Sequence, residues 1–501
     1  MRRAVKPFWI LIALLTLGTG IRLYDFTDPP LDFHPTRQLM GAIQARALYY
    51  HWASDIPPDK VALADRAAAR VGEYEPPVVP GLAALTYLAL GREQVWVVRL
   101  YNALFWLASA LAVYGLARRM AGEVGALMGM AYFLFLPFAV KASRSFQPDP
   151  LMSALIALTA FAAYRWVEAE RPRWRQALTV GVLGGLAVLV KAFAVYEVAG
   201  LLAALVLWRW RWRFWRQGQV WLAAFFVLAP VGVYLVLRGE SQAQRYFEQW
   251  TLSLSYLWFK PTFYLHWGYT LHKLFGLPFV LLALSALVFA TPKGRALLLG
   301  WGAGYVVFGF SVPYLIYSHN YYSLSATPLV AVAMALPLQR LWEAMRNFSW
   351  GRWALIVGGV LLSGFWLLTT YRDLRDADYR HEPAYWAALA AQLPTDGPLI
   401  ALTQDYGYRL AYYGPFVIDA LWPPRGEFAL RQMRGRKVDM LVEFQRRTEG
   451  MDYFLVTAMG QWEHQPTLRE LLEEHYPLIA QGDGYLLFDL RHPKIPLSPQ
   501  P

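Results

Sequence analysis

The sequence predicts a mostly α-helical polytopic membrane protein that ends in a small soluble α/β domain. Hydrophobic residues make up 57% of the 501 residues and charged residues only 16%, which is too little charge for a soluble surface of this size. The apolar residues form blocks of about 18–22, the helix length that crosses a hydrocarbon core of about 30 Å. The 22 Trp and 30 Tyr fit aromatic belts at two membrane interfaces.

Composition also excludes several classes of function. The chain has no Cys, so disulfides, thiolate metal ligands and cysteine nucleophiles are impossible. A net charge of +12 could indicate nucleic-acid binding, but the excess lies in loops that alternate with the apolar blocks. A positively charged inner face explains this pattern without a nucleic-acid partner. Arg2, Arg3 and Lys6 precede the first block as in a signal peptide, but no small-x-small cleavage site follows, which predicts an uncleaved first helix.

The first part of the chain predicts one span followed by a long outer loop. Helix 1 covers about 8–23, and residues 24–95 form the loop. Within it, 38–52 and 59–71 have helical spacing of apolar residues with charges between them, so they are predicted to be amphipathic helices in the interface. The apolar segment 78–90 follows two prolines and is short for a full span, which indicates a re-entrant or interfacial helix.

Further apolar blocks bring the predicted number of spans to about eleven. They lie at about 96–117, 123–140, 149–167, 177–191, 195–208, 219–237, 276–291, 295–313, 321–339 and 353–371. The loop 238–275 is long and aromatic. Arginines concentrate in the loops 171–175 and 208–217, which are therefore predicted to be cytoplasmic. An odd number of spans places the C-terminus outside, and residues 1–372 form the predicted transmembrane domain.

After about residue 371 the composition changes, because charged residues and Pro increase and the apolar runs shorten. This predicts an extracytoplasmic α/β domain over 373–501, the size of one ordinary domain. Its predicted elements are helices at 385–393 and 468–475 and strands at 398–403, 453–458 and 484–490.

Titratable residues cluster directly after helix 1. Asp32 stands in the outer loop with His34 and Arg37 close behind it. Charge near hydrocarbon is costly, so such a cluster is a candidate functional site. Partial desolvation would raise the pKa of the Asp32 carboxyl and suit it to act as a general base. Alternatively, Asp32 caps the following helix or forms a turn.

Asp149 and Lys191 stand at the outer ends of predicted spans. Asp149 could be a second acidic group on this face, but an Asp before Pro at the start of an apolar helix is typical of an N-cap, and this interpretation is favoured. Lys191 could bind a phosphate as a point charge. Alternatively, its ammonium extends to the lipid headgroups, as interfacial lysines often do.

Other polar residues of the same face are candidates for substrate binding. His319 and Tyr322 lie in the turn YSHNYYSL, where they could contact a phosphate or sugar or simply form a polar turn in an aromatic belt. Lys141 and Arg144 add two cations. Convergent cations would form an anion site, and scattered ones would be interfacial anchors. The sequence contains no P-loop, no GxGxxG after a strand, no HExxH and no GxSxG.

The order of several segments resembles one family. PPLDFHPTRQLMGAIQARALYY resembles its Asp-centred first loop, and YEPPVVPGLAALTYLALG with VRLYNALFWLASALAVYGLARRM resembles its Pro-Pro segment and second helix. LAVLVKAFAVYEV and SHNYYSLSATPLVAVAMAL resemble its lysine-containing segment and its Tyr-rich helix start. The family is the C-type (GT-C) glycosyltransferase superfamily, in the branch of dolichyl-phosphate-mannose–protein mannosyltransferases and bacterial aminoarabinose transferases.

The resemblance implies an inverting plasma-membrane enzyme that transfers a sugar from a polyprenyl-phosphate donor to a glycan, lipid or protein acceptor on the outer face. It implies that Asp32 is the catalytic acidic residue, that Lys191 contacts the donor phosphate, and that His319 lies near this phosphate. No cofactor is expected, and a divalent metal is possible but not indicated, since Phe33 stands where the family often has Glu. Glu75 stands where many members have Lys or His before Pro-Pro.

Two alternatives remain at this stage. A transporter or flippase of lipid-linked glycans typically shows paired repeats and ionisable residues in the middle of its spans. Here the charges cluster at the outer ends of the spans and no repeat is evident, which favours the transferase. A structural subunit with a glycan-binding C-terminal domain would leave Asp32 dispensable.

Overall fold

The computed structural model of this protein describes residues 7–72, 74–238, 242–348 and 350–496. The basic residues Arg2, Arg3 and Lys6 lie outside the described residues. Packing divides the chain into two compact units. The first contains Met1–Asp28, Glu73–Ala83 and Gln94–Asp378, and the second contains Pro29–Gly72, Ala84–Glu93 and Tyr379–Pro501. The sequence predicts a boundary between residues 372 and 373. The second unit combines Tyr379–Pro501 with segments from before that boundary, so the predicted division into two consecutive domains remains a prediction.

Helices dominate the chain as far as residue 376. They are α1 (Pro7–Leu23), α2 (Pro35–Trp52), α3 (Pro58–Val71), α4 (Val78–Leu90), α5 (Trp96–Met120), α6 (Glu123–Phe135), α7 (Pro137–Ala142), α8 (Asp149–Glu168), α9 (Trp174–Val190), α10 (Ala194–Trp210), α11 (Gly218–Arg238), α12 (Gln242–Trp250), α13 (Pro261–Phe275), α14 (Leu277–Phe289), α15 (Pro292–Ser311), α16 (Leu315–Ser318), α17 (Ala326–Ala344) and α18 (Gly351–Asp376). Short 3₁₀ helices cover Arg211–Arg216, Leu252–Phe259, Asn320–Ser323 and Met345–Asn347.

The predicted class, a mostly helical polytopic membrane protein, is confirmed. Within the described residues, α5, α8, α11 and α18 are each long and apolar enough to cross a membrane, and α13 with α14 qualifies as a pair bent by 98°. The helices α1, α4, α6 and α9 are apolar but shorter. The figure of about eleven spans therefore remains a prediction.

Two predicted segments differ from the observed ones for local reasons. The span predicted at 123–140 is divided into α6 and α7, because Pro137 lacks an N–H and cannot continue the helix that ends at Phe135. The predicted loop 238–275 contains helices α12 and α13. Gly276 lies between α13 and α14 with φ 78°, a left-handed conformation that suits glycine at a sharp bend.

Close helix packing in the first unit depends on glycines. A Cβ atom added at Gly200 of α10 would lie 2.3 Å from the carbonyl oxygen of Gly300 in α15, and one added at Gly304 would lie 2.4 Å from that of Tyr196. Small residues permit such backbone contact between membrane helices. This contact holds α10, which begins at Ala194, three residues after Lys191.

The remainder of the chain forms a sheet with helices around it. Its elements are α19 (Glu382–Ala390), β1 (Leu399–Leu402), the 3₁₀ helix Gln404–Gly407, α20 (Tyr408–Tyr413), β2 (Ala420–Leu421), α21 (Arg425–Met433), α22 (Met440–Thr448), β3 (Tyr453–Val456), α23 (Met459–Glu463), α24 (Pro466–His475), β4 (Leu478–Gly482) and β5 (Tyr485–Asp489). The strand order is β2-β1-β3-β5-β4. The strands β2, β1 and β3 are parallel to one another, and β5 is antiparallel to both of its neighbours, β3 and β4. Alternating side chains of β1 and β3 enter two separate hydrophobic clusters, one on each face.

The helices α2 and α3 belong to the same compact unit as this sheet. Arg46 of α2 donates a hydrogen bond of 2.7 Å to the carbonyl oxygen of Tyr412, and its guanidinium lies 3.9 Å from the centre of the Tyr412 ring. Arg70 of α3 donates to the carbonyl oxygen of Asp419 at 2.7 Å. The segments predicted as interfacial helices therefore pack on the C-terminal α/β fold.

A carboxylate with three arginine partners makes the second unit sensitive to acid. Burial alone would raise the pKa of Glu443, but hydrogen bonds from Arg447, Arg446 and Arg431 outweigh burial and lower the pKa to about 2. A lowered pKa stabilises the fold above the ordinary value of 4.5, and this stability is lost as pH falls toward 2. We expect Glu443→Gln to lower the melting temperature at pH 7 and to flatten its decline between pH 5 and pH 3.

The measurement is thermal unfolding of the purified full-length protein across this pH range. Glu449→Gln is the matched control, because Glu449 directly follows the same helix and is exposed. A parental pH profile in the Glu443 variant would contradict the assignment.

Candidate functional site

A buried ion pair joins two of the predicted site residues. The ammonium nitrogen Nζ of Lys191 lies 2.8 Å from Oδ1 of Asp149, and the two residues are only 4% and 1% exposed. Lys191 follows α9 in an extended conformation, and Asp149 is the first residue of α8. The pair therefore ties the end of one helix to the beginning of another.

This geometry corrects two interpretations drawn from the sequence. Asp149 was favoured as an N-cap, but Pro148 occupies the N-cap position and the Asp149 carboxylate binds Lys191 instead. Lys191 was alternatively an interfacial anchor, but its side chain is buried against a carboxylate. Each interpretation fails because its evidence was local, whereas the partner lies 42 residues away.

Tyrosines complete the surroundings of Lys191. Its Nζ lies 5.2 Å from the ring centre of Tyr321 and 4.8 Å from that of Tyr322, which are cation–π distances. The His319 ring lies beside the same two rings, at 5.7 and 6.3 Å between centres. We call Asp149, Lys191, His319, Tyr321 and Tyr322 the Lys191 cluster. The structure thus brings four predicted site residues together and adds Tyr321.

Three buried arginines form a second group in the first unit. Arg99 and Arg144 donate to the carbonyl oxygen of Asp25 at 3.1 and 3.0 Å, and Arg22 Nε donates to Ser143 Oγ at 2.7 Å. Arg22 and Arg144 are also close enough for their charges to repel. All three arginines are at most 1% exposed. Cations therefore do converge around Arg144.

Only Arg144 of this group was predicted. Arg22 and Arg99 lie inside apolar helices, and an arginine within an apolar block is itself a signal of function or of a structural partner. That signal was available in the sequence.

Lys141 and Glu75 are two further predicted residues. Lys141 pairs with Asp373 at 2.8 Å, and both side chains are partly exposed. Glu75 precedes α4 and influences Tyr234 electrostatically. Lys141 thus has the environment of a surface ion pair, and the substrate-binding role of each residue remains a prediction.

Asp32 belongs to the second unit, where the start of α2 holds it. Nε2 of Gln38 donates to Asp32 Oδ1 at 3.1 Å and to the carbonyl oxygen of Phe33 at 2.9 Å. His34 occupies the N-cap position of α2 in a left-handed conformation, with φ 48°. The interpretation of Asp32 as the N-cap is therefore wrong, since His34 occupies that position. The Arg37 Nη1 atom lies 4.0 Å from the sulfur of Met40 in the same helix.

The charged side chains of the candidate site are carboxylates, lysine and arginine. Across the part of the chain that the structure describes, no group of three or more His, Asp or Glu could hold a metal ion.

The chain is similar to known membrane proteins. Residues 74–236 match the family described as dolichyl-phosphate-mannose-protein mannosyltransferase. No curated protein sequence matches the chain. Among solved structures, ArnT from Cupriavidus metallidurans bound to undecaprenyl phosphate is 15% identical with a TM-score of 0.59, covering 97% of this chain and 98% of that one. The oligosaccharyltransferase AglB from Archaeoglobus fulgidus, in complex with an inhibitory peptide and a dolichol-phosphate, is 11% identical with a TM-score of 0.59, covering 96% and 74%.

The TM-scores and the coverage show a shared fold, and at identities this low they show the fold alone. The chain has the fold of these proteins over nearly its whole length, so the predicted resemblance is confirmed. These matches give no support to the transporter alternative.

Proposed function

We propose that this protein, which has the C-type glycosyltransferase fold, transfers a sugar from a polyprenyl-phosphate donor to an acceptor. One observation carries the proposal. The fold match to ArnT covers 97% of this chain and 98% of a structure that holds undecaprenyl phosphate. AglB, with the same fold, holds a dolichol-phosphate. Two proteins of this fold thus bind one class of lipid phosphate, and the same class is proposed here as donor.

The Lys191 cluster suits the phosphate of such a donor. A lysine ammonium has three donors, and Asp149 accepts from one of them. Asp149 offsets part of the charge of Lys191, but burial lowers the local dielectric, so a hydrogen bond from the remaining ammonium donors to an anion is stronger there than in water. When the glycosidic bond breaks, negative charge grows on the departing polyprenyl phosphate, and a fixed cation stabilises this charge most in the transition state. Lys191 would supply that cation.

Asp32 would activate the acceptor. A hydroxyl group attacks the anomeric carbon opposite the leaving phosphate, so the anomeric configuration inverts and the hydroxyl proton needs a base. The hydrogen bond from Gln38 orients the Asp32 carboxylate for this role. Glycan, lipid and protein acceptors all offer a hydroxyl, so the acceptor class is left to experiment.

The direct test is incubation of the purified protein with a panel of polyprenyl-phosphate sugars and acceptors. Release of polyprenyl phosphate with formation of a glycosylated acceptor supports the proposal. A second assay, with the protein reconstituted into lipid vesicles, measures whether the intact donor is moved across the bilayer. Movement of intact donor across the bilayer without release of polyprenyl phosphate would favour the transporter alternative.

We also propose that the reaction takes place on the extracytoplasmic face of the plasma membrane, with the second unit on that side. The support is the concentration of arginine in the loops 171–175 and 208–217. Single-cysteine labelling tests this sidedness, because the chain has no cysteine of its own. Trp212 is 81% exposed and Tyr74 is 61% exposed. In intact cells, a membrane-impermeant reagent should label Tyr74→Cys and should leave Trp212→Cys unlabelled. Labelling of Trp212→Cys without labelling of Tyr74→Cys would show that the proposed topology is inverted.

A further inference from the structure

A strained turn follows β1 in the second unit. Asp405 and Tyr406 have φ of 48° and 58°, and Gly407 continues in the same left-handed region with φ 82°. Glycine adopts this conformation freely, whereas it costs free energy for a residue as bulky as tyrosine. Such strain persists only where the surrounding contacts hold it, and an observed outlier of this kind is a reason to look for a function.

Hydrogen bonds to both carboxylate oxygens hold Asp405 in this conformation. Its Oδ1 accepts from Thr36 Oγ1 at 2.8 Å, and its Oδ2 accepts from Arg409 Nε at 2.6 Å. Arg409 also donates to Glu382 at 2.8 Å, and Glu382 accepts from the indole of Trp386 at 2.6 Å. Trp386 is buried in one of the two hydrophobic clusters of the sheet. The Asp405 carboxylate is therefore fixed to the core of the α/β fold on one side and bonded to α2 on the other.

The residue of α2 that Asp405 holds lies close to Asp32 in the chain. Thr36 belongs to the first turn of α2, directly after His34, whose backbone is also left-handed. Gln38 belongs to the same turn and donates to the Asp32 carboxylate at 3.1 Å. The bond between Thr36 and Asp405 thus fixes the helical turn that in its own turn holds Asp32.

We propose that Asp405 is a positioning residue for the reaction, because it holds the first turn of α2 and, through this turn, the carboxylate of Asp32. The inference rests on the proposed function, in which Asp32 is the base. A base must lie within hydrogen-bond reach of the proton that it takes, and a small displacement lowers the rate steeply. The strained turn after β1 therefore makes the C-terminal α/β fold a part of the catalytic apparatus.

Thr36→Val tests this hydrogen bond, because valine resembles threonine in shape but has no hydroxyl. We expect turnover of the purified full-length protein with a polyprenyl-phosphate sugar and a hydroxyl acceptor to fall about tenfold, as for the loss of one hydrogen bond. Thr36→Ser keeps the hydroxyl and should restore most of this turnover. The Kd for undecaprenyl phosphate should stay within about twofold of the parental value in both variants, because the Lys191 cluster belongs to the first unit.

Thr448→Val is the matched control for a loss of stability. Thr448 is a partly buried threonine of the same unit, and its hydroxyl donates to the carbonyl oxygen of Phe444 at 2.8 Å within α22. This variant also loses one hydrogen bond but should keep parental turnover. An equal loss of turnover in the two valine variants would show general destabilisation, and parental turnover in Thr36→Val would show that the bond does not orient Asp32. Either result contradicts the inference.

Amide hydrogen exchange provides a second measurement that needs no donor. Peptides covering residues 30–40 should exchange faster in Thr36→Val than in the parent or in Thr448→Val. Asp405→Gly should accelerate the same peptides, because glycine suits the left-handed turn but offers no carboxylate. Parental exchange in both variants would contradict the inference. A parent protein that releases no polyprenyl phosphate from any donor contradicts the proposed function instead, and the exchange comparison still decides whether Asp405 holds this turn.

Discussion

Replacement of Asp32 by Asn is expected to lower turnover by about 10²–10⁴-fold, the usual contribution of a general base. Asn has the size of Asp and can still accept the hydrogen bond from Gln38, but it cannot take a proton. Donor affinity and melting temperature should therefore remain close to the parental values. The measurements are steady-state turnover, equilibrium binding of undecaprenyl phosphate and thermal unfolding.

Asp59→Asn is a suitable control for this variant. Asp59 is an exposed carboxylate in the first turn of α3, in the same compact unit as Asp32. Its replacement should leave turnover unchanged. Near-parental turnover in Asp32→Asn would end the assignment of Asp32 as a base.

The kind of acceptor decides what an inactive Asp32→Asn protein means. A hydroxyl acceptor needs a base, whereas an acceptor that is already anionic needs none. Loss of turnover with a hydroxyl acceptor but not with an anionic one supports Asp32 as the base. Equal loss with both acceptors would indicate that Asp32 orients the acceptor.

Replacement of Lys191 by Met should both destabilise the protein and abolish donor binding. The substitution leaves the carboxylate of Asp149 buried without its cation, and the loss of one partner of a buried pair costs about 3–5 kcal/mol. Lys141→Met is the control for the stability measurement, because the partly exposed pair of Lys141 with Asp373 is worth about 0–1 kcal/mol. The measurements are thermal unfolding and binding of undecaprenyl phosphate.

A double variant separates stability from binding. Lys191→Met/Asp149→Asn has no unpaired charge, so most of the lost stability should return. Donor binding should not return, because the cation is still missing. Lys191→Arg keeps the charge with a different shape and should be partly active. If the stable double variant binds undecaprenyl phosphate like the parent, Lys191 has only a structural role.

The sequence predicted most helices because their signals are local. The helices at 8–23, 149–167 and 353–371 were expected close to where α1, α8 and α18 lie, since each is an apolar block with polar flanks. Strands β1, β3 and β5 were likewise expected, because they are short apolar runs. By contrast, β2 has only two residues, and the apolar part of β4 is the run 478–480, which is too short to indicate a strand.

The candidate site was only partly predictable, because its contacts join residues that are distant in the sequence. Asp149 and Lys191 were each identified, yet their pairing depends on how α8 packs beside α9 and α10, which no short window of sequence contains. Arg22 and Arg99 lie within apolar blocks whose pattern predicts only a span, whereas in the structure both guanidinium groups are buried and donate hydrogen bonds to backbone carbonyls. Partners at long sequence separation are fixed by tertiary structure.

The discontinuous make-up of the second unit has a consequence for biosynthesis. Its segment Pro29–Gly72 leaves the ribosome early, whereas Tyr379 follows Gly72 by 379 − 72 = 307 residues. The bonds from Arg46 to Tyr412 and from Arg70 to Asp419 can therefore form only after nearly all of the first unit has been translated. Until then, α2 and α3 lack the partners that the finished fold gives them. Nascent chains arrested before residue 379 should consequently be recognised by chaperones or proteases at these two helices.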